Sequence, residues 1–188
     1  MSDIEVVQGV RRVLAATLDE IVGESAASRG DSNVVGQWDI RSDGRDSLVS
    51  FGIPIGQDDP EGVHFQGAVQ ESADPEVSVS GRQGYRLGTD SGWTLAAMAP
   101  SGEVWAIQKP EQANQSADPR IFMVNSSVTG FVDLSWRWQA VRPLLSKLGY
   151  RDSFFEAAEL YLARLPDIDE ALADKERYSW WRGMVLDW

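Results

Sequence analysis

With 188 residues, 43% of them hydrophobic and eight of them tryptophan, the chain is long enough to bury a core and reads as one ordered domain. Its net charge of −12 argues against direct nucleic-acid binding, because phosphates need Lys and Arg to displace their counterions. It disfavours an anionic membrane surface for the same reason, and the absence of cysteine excludes disulfides, thiolate chemistry and thiol-bound zinc.

The opening MSDIEVVQGVRR lacks a basic segment followed by an apolar one, and no run approaches about 18 apolar residues. The expectation is a cytoplasmic protein with no membrane span. Ile4, Val7, Val10, Leu14, Leu18 and Ile21 recur at helical spacing. They predict one amphipathic helix, started by Ser2 or Asp3 with Glu5 in its first turn and ended near Gly23. Residues 24–33 are a small, polar connector.

Residues 34–40 (VVGQWDI) read as a strand, 42–46 as a turn and 47–55 (SLVSFGIPI) as a second strand, which together predict a hairpin. Pro54 places that second strand at an edge or at its end. Residues 56–62 form a loop, and 63–69 and 77–79 are further strands separated by ESADPE. Between 56 and 76 stand Asp58, Asp59, Glu61, Glu71, Asp74 and Glu76, without one Lys or Arg. No other stretch has so sharp a charge bias.

Residues 85–90 (YRLGTD) lead to two apolar runs, 94–99 and 103–108, joined by a Pro-Ser-Gly turn that signals a hairpin. Residues 109–120 are a polar loop. Residues 121–124 (IFMV) read as a short buried strand, after which Asn125, Ser126 or Ser127 caps a helix. Phe131, Leu134, Trp138, Val141, Leu145 and Leu148 then fall on one helical stripe. At roughly 1.5–3 kcal/mol per buried large side chain, this stripe contributes on the order of 10 kcal/mol before entropy is subtracted. Pro143, off the stripe, kinks that helix or ends it near Arg142. A further amphipathic helix spans 153–165, interrupted by Pro166, and a last helical region includes Leu172, Trp180, Trp181, Met184, Val185 and Trp188.

Helix, then strands, then helices predicts an α+β fold. The expectation is one domain over 1–188, a mostly antiparallel sheet flanked by helices, with the 127–148 helix packed across the sheet.

Patterns that carry catalysis are sparse. His64 is the only histidine, with no cysteine to pair with. DIRSDGRD at 39–46 fails as a calcium loop, since Arg41 takes a ligand position and Ser50 stands where the closing Glu belongs. The Trp136/Trp138 pair and the adjacent Trp180 and Trp181 could form a sugar-stacking face, but aromatics in helices are usually core, and core is the favoured reading. The 29 acids single out no carboxylate pair for hydrolysis. The expectation is a protein without catalytic residues, metal or cofactor.

Three segments together carry a resemblance: TLAAMAPSGEVWAI at 94–107, IFMVNSSVTGFV at 121–132, and PDIDEALADKERYSWWRGMV at 166–185. In this order they resemble the SUKH superfamily of immunity proteins, in the branch with the VNSS strand-to-helix signature. The resemblance covers residues 85–188. It implies an antiparallel sheet flanked by helices, a fold that binds and neutralises a cognate toxin domain, often a nuclease or nucleic-acid deaminase. Such toxins are commonly basic, which suits the −12 charge. The family has no catalytic residues to carry over. The partner surface expected from charge is Asp58, Asp59, Glu61, Glu71, Asp74 and Glu76, on a protein that is a free monomer. A ligand- or protein-binding regulatory scaffold of the same fold is the alternative, and a carboxylate enzyme comes third.

Overall fold

A computed structural model describes residues 2–23, 26–56, 66–90, 92–109, 120–149, 152–173 and 180–186. The chain divides into two compact units, a helical one (1–24 with 133–188) and a sheet unit (25–132).

The helical unit begins with α1 (Asp3–Ala15) and α2 (Leu18–Val22), where the spacing predicts one helix. The break has a chemical cause. Thr17 and Glu20 form a capping box, Thr17 accepting from the Glu20 N–H and Glu20 from the Thr17 N–H, so a new helix starts where the old one was expected to continue. Ser2 and Glu5 cap α1 in the same way. The bonds from the Ser2 backbone and hydroxyl hold the Glu5 carboxylate below its usual pKa, and those from Thr17 do the same for Glu20. Val6, Val7, Val10 and Leu14 are buried, while Ile4, expected on the stripe, is exposed.

The capping residue for the end of α1 lies far along the chain. Helix α5 (Val128–Leu145) carries Arg137, whose Nη1 donates to the carbonyls of Val13 at 2.9 Å, Leu14 at 3.1 Å and Ala16 at 3.1 Å. Asp133, one turn earlier, forms an ion pair with Arg137. All six residues of the predicted stripe are buried, as are Val132, Ser135, Trp136 and Arg137. A helix buried on so many sides is no longer an amphipathic one.

Helix α6 (Asp152–Ile168) lies against α1, with Ser153 Oγ donating to Asp3 at 2.7 Å and Arg11 meeting Glu156 at 3.4 Å. Its Tyr161 hydroxyl donates to the Leu134 carbonyl at 3.0 Å, and its ring meets Trp138 edge-on at 5.6 Å. Pro143 and Pro166 sit inside α5 and α6, each two residues before the helix ends. A missing N–H there removes one bond from a final turn rather than breaking the helix midway. A 3-10 turn (Glu170–Ala173) and α7 (Trp180–Leu186) complete the unit.

In the sheet unit the expected 34–55 hairpin is absent. Its place is taken by α3 (Ser32–Val35) and α4 (Ser42–Ser50), followed by a two-residue strand, β2 (Ile53–Pro54), paired with β1 (Ala27–Ser28). Asp31 caps α3 by accepting from the Asn33 N–H at 2.7 Å. In α4 the buried Gly44, Ser47 and Leu48 fall at helical spacing. Gly44 reads as a turn residue, yet a Cβ there would sit 3.0 Å from Val128 Cβ. The glycine permits close approach of α4 to the first turn of α5. Gly52 follows with φ +65°, the left-handed residue that ends α4.

The main sheet is antiparallel and six-stranded among the described residues. It comprises β3 (Gln66–Gly67), β4 (Val77–Val79), β5 (Arg82–Asp90), β6 (Trp93–Met98), β7 (Glu103–Gln108) and β8 (Ile121–Asn125). Strands β5 to β8 run as neighbours in chain order, and β3 and β4 both pair with β5. The α+β expectation and the 94–108 hairpin hold. One face carries Leu95, Ala97, Val104 and Ala106, all fully buried. On the other, Val79, Ala96 and Met98 pack with the half-buried Val77, Trp105, Ile107 and Ile121. Arg82 lies 4.7 Å over the Trp105 ring and pairs with Glu103 at 2.8 Å.

Arg137→Ala is expected to cost about 3–5 kcal/mol in urea unfolding, because it leaves a carboxylate without its partner and takes a donor from three carbonyls at the end of α1. Tyr161 gives a pH-dependent test. Burial, first, and then the Asp133 charge hold its hydroxyl well above the ordinary tyrosine value of 10.0, with Arg137 opposing. With the folded pKa raised, the tyrosine's contribution is complete below about pH 10 and declines as pH rises, since only the unfolded chain ionises there. Tyr161→Phe should therefore cost about 1 kcal/mol near neutrality, and its stability gap from the wild type should shrink only as pH rises above about 10.

Candidate functional site

Of the six acids expected to meet a partner, Asp58, Asp59 and Glu61 lie outside the described residues, as does His64. Glu71, Asp74 and Glu76 lie on the segment between Gln70 and β4, and all three are exposed.

That segment is braced from beneath by one buried amide. Gln70 is 2% exposed. Its Nε2 donates to the carbonyls of Ser72 and Asp74, each at 2.8 Å, and its Oε1 accepts from the Arg86 N–H at 2.7 Å. Its backbone N–H also donates to the Arg86 carbonyl at 3.0 Å. One side chain thus ties two loop carbonyls to β5. Ser72 Oγ accepts from the Asp74 N–H at 3.1 Å and tightens the turn between the two acids.

A second brace comes from an aromatic pair. Trp38 and Tyr85 stack at 4.6 Å with their planes 7° apart. Trp38 Nε1 donates to the Ser72 carbonyl at 3.1 Å, and the Asp39 N–H donates to the Tyr85 hydroxyl at 2.9 Å. The same pair therefore fixes the Glu71–Asp74 turn and the exposed Asp39.

The three described acids differ in what they offer. Glu76 pairs with Arg86 Nε at 3.3 Å, and Arg86 Nη1 donates to the Ala68 carbonyl at 2.8 Å, so this charge is locally neutralised. Glu71 and Asp74 have no cationic partner among the described residues. Neither does Asp39, which charge counting over residues 56–76 did not reach. The arrangement presents fixed, solvated carboxylates on a loop whose backbone is already ordered. It can attract cations or a basic surface at little entropic cost, and no feature of it activates a nucleophile. The polar bracing by Gln70, Trp38 and Tyr85 was not legible in the sequence; only the acids were.

Gln70→Ala would strand the Arg86 N–H and take one donor each from the Ser72 and Asp74 carbonyls, a change expected to cost about 1–3 kcal/mol. Amide hydrogen exchange should then accelerate across residues 71–76 more than in β6 or β7, and equal acceleration everywhere would contradict the bracing.

No curated protein and no solved structure matches the chain. The profile of the SUKH-4 immunity protein family matches residues 13–187. That span takes in both units and the loop just described, and the chain belongs to the SUKH-4 immunity protein family.

Proposed function

We propose that this protein neutralises a cognate toxin domain by binding it stoichiometrically, without chemistry of its own, in the cytoplasm of the cell that it protects. Family membership over residues 13–187 is the observation that carries the reading. The VNSS step at residues 124–127, which leads β8 into α5, supports the finer assignment to the branch that shares it.

The toxin is a basic protein, of the kind that acts on nucleic acid as a nuclease or deaminase. The support is electrostatic. A chain of net charge −12 has a field that attracts cationic partners and repels nucleic acid, so it can compete for a surface built to hold phosphates. Glu71 and Asp74 on the braced loop, with Asp58, Asp59 and Glu61 close by in sequence, form the acidic rim that the partner meets. Rim charges mainly set association rate, while buried contacts set how long a complex lasts.

The test uses the toxin domain encoded beside this chain's gene. Co-expression should restore growth that the toxin alone abolishes, and the purified pair should form a one-to-one complex. Reversal of Glu71 and Asp74 to Lys, with or without Asp58, Asp59 and Glu61, should slow association about tenfold at low salt and flatten its salt dependence, with a smaller change in dissociation. Association rates equal to wild type at low salt would remove the acidic rim from the interface. Failure of co-expression to protect would remove the immunity reading itself.

A further inference from the structure

The main sheet ends at β8, which has no neighbouring strand on its far side among the described residues. Pairing with β7 determines which backbone groups face outward. The Gln108 N–H donates to the Arg120 carbonyl at 2.9 Å, which makes 108 and 120 a hydrogen-bonded pair. Antiparallel ladders alternate bonded and non-bonded pairs. Ile107 opposite Ile121 is therefore non-bonded, Ala106 opposite Phe122 bonded, and Trp105 opposite Met123 non-bonded. The N–H and C=O groups of Ile121 and Met123 point away from β7, and no described residue bonds to them.

We propose that β8 is a self-pairing edge, at which two copies of this chain join antiparallel about a two-fold axis at Phe122. The spacing of the free groups selects that axis. Rotation about Phe122 sets Ile121 opposite the partner's Met123, and Met123 opposite the partner's Ile121. Each pair exchanges two N–H···O bonds, four in all. An axis at Ile121 or at Met123 would pair that residue with itself alone and make two bonds from these residues.

Charge and composition favour a second copy as the occupant. Strand β8 reads IFMVN, with no ionisable side chain, no proline and no glycine. It lacks the charges and breakers that normally guard an edge against pairing. Two chains of net charge −12 repel across most of their surfaces, yet the ionisable residue that adjoins β8 in sequence is the exposed Arg120 rather than an acid. An identical strand supplies the matching spacing without any further requirement.

The size of the contact sets its strength. A five-residue strand is about 17 Å long, well short of the roughly 800 Å² per partner of a standard interface. The dimer is accordingly weak and reversible, with Kd in the tens of micromolar or above. It replaces the expected free monomer only at high concentration, and it is independent of the toxin-binding reading.

The full chain should show a reversible monomer–dimer equilibrium by sedimentation between about 5 µM and 500 µM. Met123→Pro removes an outward N–H while leaving the bonds to β7, a change that edge strands tolerate. Met123→Lys leaves the backbone intact and places a charge on the edge. Each should weaken dimerisation at least about tenfold, with folding checked by circular dichroism. Because the chain has no native cysteine, Phe122→Cys should cross-link to its own copy under mild oxidation, and Ser32→Cys on α3 should not. A wild type that stays monomeric throughout overturns the proposal. So does a dimer unaffected by the folded Met123→Lys variant, or a Phe122→Cys that links no faster than Ser32→Cys. If the chain is monomeric alone but Met123→Lys weakens toxin binding, the edge belongs to a foreign strand and self-pairing is wrong.

Discussion

The helical unit depends on the Arg137 guanidinium. An α-helix leaves its last carbonyls without intrahelical partners, and α1 ends abruptly because Thr17 and Glu20 start a new helix. Glycine or water usually serves such an end. Here a buried cation accepts that task, which also sets positive charge against the negative end of the α1 dipole. A buried guanidinium is costly unless its charge and its N–H groups are all engaged. Asp133 supplies the charge and the three carbonyls supply acceptors. The arginine therefore joins the N-terminal helices to α5 across more than 120 positions of sequence.

Much of this was legible, for reasons that differ by region. The α5 stripe and the 94–108 hairpin hold because the local signals agree there: Gly102 takes φ +76°, as the turn requires, and β7 beyond it begins with alternating burial. The region 34–55 departs from its expected hairpin because its signals conflict. VVGQWDI and SLVSFGIPI are rich in strand formers, and Asp-Gly usually marks a turn. The structure uses the less conspicuous features instead: the Asp31 cap, the helical spacing of Gly44, Ser47 and Leu48, and the stop at Gly52. The two capping boxes read as S-x-x-E at 2–5 and T-x-x-E at 17–20, and the second should have divided the first helix.

The candidate site shows another limit. Acids without bases are visible in any sequence, but the support for a loop is not. Gln70 is an ordinary polar residue until β5 places the Arg86 N–H beside it, and Trp38 looks like core until its indole N–H meets the Ser72 carbonyl. Both braces depend on partners 16 and 34 positions away, separations at which local pattern carries no information.

The distribution of charge decides more than its total. A net charge of −12 means that twelve carboxylates would remain unpaired even if every Lys and Arg held one. On the sheet unit, Arg41, Arg82 and Arg86 are already engaged by Asp43, Glu103 and Glu76. Such partly exposed pairs add little stability, but they remove those acids from the long-range field. Screening confines each remaining charge to a radius of about 8 Å at physiological salt. A docking partner therefore senses the acids that lie near its own path rather than the sum over the chain. Glu71 and Asp74 satisfy that condition where a scattered surface acid would not. Their carboxylates are unpaired among the described residues, they flank one turn, and the backbone beneath them is held by Gln70 and Trp38. Because the loop is ordered beforehand, their attraction is not spent on arranging it when a partner arrives.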